Sequence, residues 1–254
     1  GHRPGVGGVA VFLNGTVGGM MTSLHAAVEA PTGAIPPERS FDKADTLGQL
    51  LGGMALDAIA GAPRVTAPAI TARRAELFVP VVNNGFQAMF LMGTLDHRTV
   101  YHFDPALPVD AGNRPDVATE VGLVEIGPLR LLCLPGEPFP ELAIGGYDGA
   151  FTPPNQSLVD PANPNPPDLA AAPPGPYLLD RLGGGDAWVI GLANDQIGYV
   201  MPPYTFEVGS VPYLLEADGD HYEETNSLGP DTAPLLLDAV DRLLDWSPPA
   251  SPEG

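Results

Sequence analysis

Glu137 follows an apolar run and a Pro-Gly pair, Leu131-Leu132-Cys133-Leu134-Pro135-Gly136-Glu137. A carboxylate delivered there can bind a metal or act as an acid or base, because open α/β sheets place ligand sites at the ends of their strands. The plainer reading is a turn carboxylate, or a Glu in the first turn of a helix. A second run, Trp188-Val189-Ile190-Gly191-Leu192-Ala193-Asn194, leads through Asp195-Gln196-Ile197-Gly198 to Tyr199. Tyr199 can offer a phenol oxygen to a site or fill core space, as aromatics commonly do. A third run, His221-Tyr222-Glu223-Glu224-Thr225-Asn226-Ser227, gathers several proton-handling groups and reads equally as a solvated turn.

Other candidates are weaker. Asn14-Gly15-Thr16-Val17-Gly18-Gly19 lacks the Lys-Ser/Thr of a phosphate loop and the spacing of a dinucleotide fingerprint. Backbone N–H groups at Gly18 and Gly19 can nevertheless face an anion or oxyanion. Thr22 and Ser23 are possible hydroxyl nucleophiles, and they need His25 or His221 as a base. Neither sits in Gly-x-Ser-x-Gly, so a hydrolase elbow is not supported. His97 and His102, beside Asp96 and Asp104, are five residues apart; on a strand that sets them on opposite faces and argues against a shared metal. Cys133 is the only cysteine, which rules out an internal disulfide and a Cys-based zinc site, and its neighbours mark it as a small buried hydrophobe.

The elements that must position these residues follow from periodicity and punctuation. The two apolar runs read as strands buried on both faces, and Gly8–Leu13 as a first buried strand. Leu47, Leu50, Leu51, Met54, Leu56 and Ile59 predict a helix from Asp42 to about Ala60, with Gly52 and Gly53 either weakening it or marking close packing. Glu76–Val82 and Phe86–Met92, joined through Asn83-Asn84-Gly85, predict a hairpin or a close-packed strand pair. Residues 117–125 and 128–134 predict a second hairpin turning at Gly127-Pro128. Residues 149–185 are a long Pro/Gly-rich loop, a lid or a mobile excursion. Asp231–Trp246 reads as a helix with Pro234 in its first turn, and residues 248–254 as a disordered tail. Strands alternating with helices predict an α/β or α+β domain over residues 1–247, a mixed sheet with flanking helices.

Composition narrows the function classes. With 31 acidic against 11 basic residues the net charge is −20, a surface that repels phosphate backbones and excludes nucleic acid as a partner. No stretch of 18 apolar residues spans a membrane. The opening Gly1-His2-Arg3-Pro4 reads as an internal start, that of a processed chain or a fragment, and carries no signal peptide.

Four segments, in order, resemble the neutral/alkaline non-lysosomal ceramidase family: Val11–Met20, Leu134-Pro135-Gly136-Glu137, Gly191-Leu192-Ala193-Asn194 running to Gly198-Tyr199-Val200, and His221-Tyr222-Glu223 running to Ser227-Leu228-Gly229-Pro230. The resemblance implies a zinc enzyme that hydrolyses the N-acyl amide of ceramide or a related lipid. It assigns Glu137 and Tyr199 to the zinc and Tyr222 to the substrate near the reacting carbonyl; Gly18, Gly19 and Asn194 stand beside these as substrate or oxyanion candidates, and Thr22 and Ser23, with Tyr222, as the catalytic candidates. A secreted or periplasmic location is implied as well. The family's two zinc histidines lie upstream of the segment matching Val11–Gly19, so the chain is expected to be the C-terminal portion of such a domain, with an incomplete zinc site. The family's Gly-Asp-Val-Ser turn reads Gly18-Gly19-Met20-Met21-Thr22 here, with Met21 at the serine position. The 22 residues between Tyr199 and Tyr222 mark an insertion beside the site. Three functions stay open: a zinc amidohydrolase, a relative that kept the fold as a binding or surface protein, and a hydrolase using Thr22 or Ser23.

Overall fold

The computed structural model describes residues 6–20, 22–23, 26–95, 98–152 and 156–247. The chain forms two compact units. One is built from residues up to Leu13 and from Met20 to Pro68, the other from Asn14–Gly19 and from Ala69 onward.

The first unit is organised by α1 (Phe41–Gly61). Ser40 caps it, its Oγ accepting the Lys43 N–H at 3.1 Å. Lys43, the only lysine, is buried. Its ammonium donates to Ser23 O at 2.7 Å and Ala26 O at 2.9 Å and pairs with Glu38 at 2.6 Å, so one cation gathers the loop before the helix. The helix forms as its periodicity predicts, but its apolar residues stay largely exposed, Leu51 by 60% and Met54 by 68%. Gly52 does not mark a close approach, because a Cβ there would meet nothing within 4 Å. Gly8–Leu13 is not a strand: among the described residues nothing pairs with it, and Val9, Val11 and Phe12 are exposed.

The second unit holds a mixed sheet with helices, as expected of an α/β or α+β fold. β1 (Ile70–Pro80) pairs antiparallel with β3 (Asp116–Ile126) over the full length of both, Ile70 opposite Ile126 and Pro80 opposite Asp116. The short β2 (Val100–Tyr101) pairs with the other edge of β3. β3 turns at Gly127-Pro128 into β4 (Leu129–Cys133), the hairpin read from the sequence. β6 (Ala187–Ile190) then adds parallel to β4. Two residues, Glu137–Pro138, form β5, which pairs parallel with β7 (Tyr199–Val200).

The core lies between the sheet and α6 (Thr232–Leu244), which packs on β1 and β3. Ala233, Leu236, Val240 and Leu243 recur at helical spacing and meet Leu77, Val79, Val121 and Leu123. The strands are buried on one face, not both. Leu132 and Val189 are core, while Trp188, in register with Leu131, is 60% exposed.

Two further expectations change. Phe86–Met92 is not a strand: α2 (Asn84–Leu91) starts where Asn83 Oδ1 accepts the Phe86 N–H at 3.1 Å. The Pro/Gly-rich stretch is loop for most of its length. It contains a 3-10 turn at Leu169–Ala171 and ends in α4 (Leu178–Arg181), whose Leu178 and the following Leu182 enter the core. α3 (Pro140–Ile144) and α5 (Tyr222–Thr225) complete the unit. Residues 248–254, read as a tail, lie outside the described residues. No helix among the described residues is long and apolar enough to cross a membrane.

Truncating the buried Leu236 to Ala is expected to cost about 2–5 kcal/mol, whereas Leu51→Ala on the exposed stripe of α1 should stay within about 0.5 kcal/mol. Urea unfolding of the two variants checks this; equal losses would contradict the placement of the core.

Candidate functional site

The ends of β4 and β6 are stitched together before the chain reaches Glu137. Leu134 N–H donates to Ile190 O at 2.8 Å, Ala193 N–H to Leu134 O at 3.0 Å, and Leu192 N–H to Gly136 O at 2.7 Å. Gly136 (φ +72°) turns the strand out of the main sheet, and Glu137 N–H then donates to Gly198 O at 2.9 Å. In the parallel ladder that follows, Glu137 is the direct partner of Tyr199. Paired strands run about 4.8 Å apart and registered residues share a face, so the carboxylate and the phenol leave the ladder side by side.

Two glycines make this approach possible. A Cβ on Gly136 would run into Gly198 O, and a Cβ on Gly198 (φ +87°) into Asn226 O. That second contact brings α5 against the ladder, where Tyr199 N–H donates to Asn226 O at 3.0 Å. Asn83 ties α2 to the same place: its Nδ2 donates to Thr225 O at 3.0 Å and Ser227 O at 2.9 Å, while its Oδ1 caps α2. Tyr222, on α5, stands edge-to-face with Tyr199, ring centroids 6.1 Å apart.

Glu137, Tyr199 and Tyr222 thus line one cavity of about 340 Å³, walled by Phe86, Met89 and Phe90 of α2. Gln196 Nε2 donates to Glu137 Oε1 at 3.0 Å, and the Gln196 N–H to Asp195 Oδ1 at 2.8 Å. Asp195 takes a bidentate pair from Arg98, at 2.8 and 2.6 Å, and a hydroxyl from Thr119 at 2.7 Å. Burial pushes the Asp195 carboxyl up, but Arg98 and Thr119 outweigh it and hold the group below its ordinary value. Burial first, then the charge of Glu137 and the nearness of Tyr222 and Glu223, push the Tyr199 phenol up to about 12. It is therefore a neutral phenol at pH 7 unless a cation stands against it.

Within the second unit the other candidates do not line this cavity. Gly18 N–H is spent on Pro138 O at 2.9 Å, and a Cβ on Gly18 would lie 2.5 Å from Glu137 O; the turn is packing against β5, not an open oxyanion cradle. Gly19 lies beside Phe139 and the Glu223 carboxylate, a poor setting for an anion. Asn194 is exposed, with its amide donating to Glu120 Oε1 at 2.9 Å. Thr22 and Ser23 belong to the first unit. His221 is buried, with Nδ1 2.7 Å from Glu224 Oε1. His102 is exposed and bonds Asp116 at 2.8 Å. Met21, His25 and His97 lie outside the described residues.

Sequence reasoning missed α2 as a wall and missed Arg98, Asp195 and Gln196. Asn83 at a helix N-cap, with Phe86, Met89 and Phe90 at i, i+3 and i+4, was the available signal for the wall. Among the described residues no three His, Cys, Asp or Glu side chains converge on a metal position. Glu137 and Tyr199 are two oxygen donors that line the same cavity. No family model, curated protein or solved structure matches the chain.

Gly198→Ala should open the ladder, costing about 2 kcal/mol or more from backbone strain and the clash. Gly184→Ala, also at positive φ but with nothing within 4 Å of its Cβ, serves as control and should cost about 1 kcal/mol. Thermal unfolding measures both; a Gly198→Ala loss no larger than the control would show that the contact with Asn226 is not needed.

Proposed function

We propose that this cavity belongs to a zinc-dependent amidohydrolase of the neutral ceramidase type, acting on the N-acyl amide of ceramide or a related lipid. The observation that carries the reading is the registered pair Glu137 and Tyr199, with Tyr222 beside them and an apolar wall opposite. Glu137 and Tyr199 would hold the metal together with histidines from a segment upstream of this chain. Zinc, when bound, supplies Lewis acidity and a water acidic enough to attack at neutral pH. Gln196 fixes one carboxylate oxygen of Glu137, and the Arg98–Asp195 pair fixes Gln196. The Tyr222 hydroxyl donates to the amide carbonyl oxygen as negative charge grows there. Phe86, Met89 and Phe90 take the acyl chain and keep water from it. Water is added across the C–N bond, giving a fatty acid and an amine. The reading includes a secreted or periplasmic location and a lipid or small-molecule amide as the partner.

A second reading, a lipid-binding relative without hydrolysis, is favoured by the spent Gly18 N–H and by Met21 at the serine position.

The test uses the complete polypeptide with a fluorogenic N-acyl sphingosine. Glu137→Gln and Tyr222→Phe should each lower kcat about 100-fold. Binding of the lipid without acid release would select the second reading, and neither binding nor hydrolysis would reject both. Calorimetry on the 254-residue chain alone should show weak or no zinc binding; tight stoichiometric zinc would overturn the claim that ligands come from upstream.

A further inference from the structure

α5 carries Tyr222 into the cavity, yet it is only one turn long, Tyr222–Thr225, and no side chain caps its N-terminus. A helix that short does not hold itself in water. Asn83 and the Tyr199 N–H hold its C-terminal end; what holds its start lies on its buried side. His221 and Glu224 are 6% and 2% exposed, and Nδ1 of the imidazole meets Glu224 Oε1 at 2.7 Å. The same oxygen accepts the Glu207 N–H at 3.0 Å. On the far side of the ring, Asn165 Nδ2 stands 3.4 Å from Nε2. Asn163 Nδ2 donates to Gly219 O at 3.2 Å, and Asn163 Oδ1 accepts the Asn165 N–H at 2.8 Å. Asn163 and Asn165 sit in the run Pro161-Ala162-Asn163-Pro164-Asn165-Pro166-Pro167, where prolines leave few N–H groups for any ladder.

We propose that His221 and Glu224 form a latch fastening the proline-rich segment around Asn163 and Asn165 to α5, and that this segment is a strap setting where Tyr222 stands in the cavity. His221, Glu224 and Asn165 are positioning residues, and the latch stands whether or not the cavity holds a metal.

The latch has a direction in pH. The charged groups facing the ring are Glu224 of its own helix and Glu207 of the adjoining segment; the strap contributes only amides and main chain. Burial pushes the imidazole down, but the hydrogen bond and charge of Glu224, the Asn165 main chain and the charge of Glu207 outweigh it, so His221 titrates above its ordinary value. The charged ring donates from both nitrogens, Nδ1–H to Glu224 and Nε2–H toward the Asn165 main chain, whereas the neutral ring keeps Nδ1–H and only accepts the Asn165 amide at Nε2. A raised folded value means that the charged latch is fully made below the ordinary histidine range and gives way to the weaker neutral contact as pH rises through the folded value.

Hydrogen exchange read by mass spectrometry, corrected for intrinsic rates, tests this over residues 156–172, with α6 as internal control. In the unaltered chain, exchange of 156–172 should accelerate about three- to tenfold as pH rises through the His221 titration, the weight of one lost hydrogen bond. His221→Gln should abolish that pH dependence. Asn165→Ala, which leaves the His221–Glu224 pair intact, should speed exchange above the His221 titration, where neutral Nε2 accepts from the Asn165 amide, shift the Tyr222 ring resonance there and leave α6 unchanged. The proposal fails if Asn165→Ala leaves 156–172 and Tyr222 unaltered, if the pH dependence survives His221→Gln, or if α6 loses protection equally.

Discussion

Everything at the candidate site depends on a parallel ladder of two rungs. Glu137 and Pro138 pair with Tyr199 and Val200 outside the main sheet, and this pairing alone sets a carboxylate beside a phenol. Parallel pairing needs a crossover, and here α3, the proline-rich loop, α4, β6 and the turn from Gly191 to Gly198 supply it. Two glycines, Gly136 and Gly198, permit the approach, since any Cβ at either would strike a carbonyl oxygen of a neighbouring segment. The main sheet serves the ladder by holding the ends of β4 and β6 in register, so the two segments leaving it arrive together.

The surroundings convert that pair into a chemical environment. Asn83 spends every polar atom of its side chain, capping α2 with one and holding two carbonyls at the C-terminal end of α5 with the other. It joins the apolar wall to the helix that carries Tyr222. Arg98 and Asp195 form a half-buried bidentate pair, and Gln196 passes that order on to Glu137. Burial beside Glu137 keeps Tyr199 a phenol, the state a nearby cation would reverse.

Local rules made much of the fold legible. The hairpin of β3 and β4 was readable because alternating residues flank a Gly-Pro turn, and α1 and α6 because apolar residues recur at helical spacing. Asn83-Asn84-Gly85 satisfied two rules at once, a hairpin turn and a helix cap, and contacts from Asn83 to residues more than 140 positions away favour the cap. Gly8–Leu13 has the composition of a strand but no partner among the described residues, and an unpaired strand is not one. At the site, Glu137 and Tyr199 could be suspected one at a time from the turns that deliver them. Their pairing was not readable from periodicity, because it is a long-range register. Arg98, Asp195 and Gln196 were invisible for the same reason: each is an ordinary polar loop residue until its distant partner is known.

The central proposal is that Glu137 and Tyr199 would hold one metal ion. Anomalous diffraction at the zinc edge, on crystals grown with zinc of a polypeptide that carries the proposed upstream histidines, tests it most directly. The account predicts a single strong peak in the cavity, about 2.0–2.2 Å from a Glu137 carboxylate oxygen and bonded to the Tyr199 phenol oxygen. Zinc bound elsewhere, with both side chains free of it, would contradict the account.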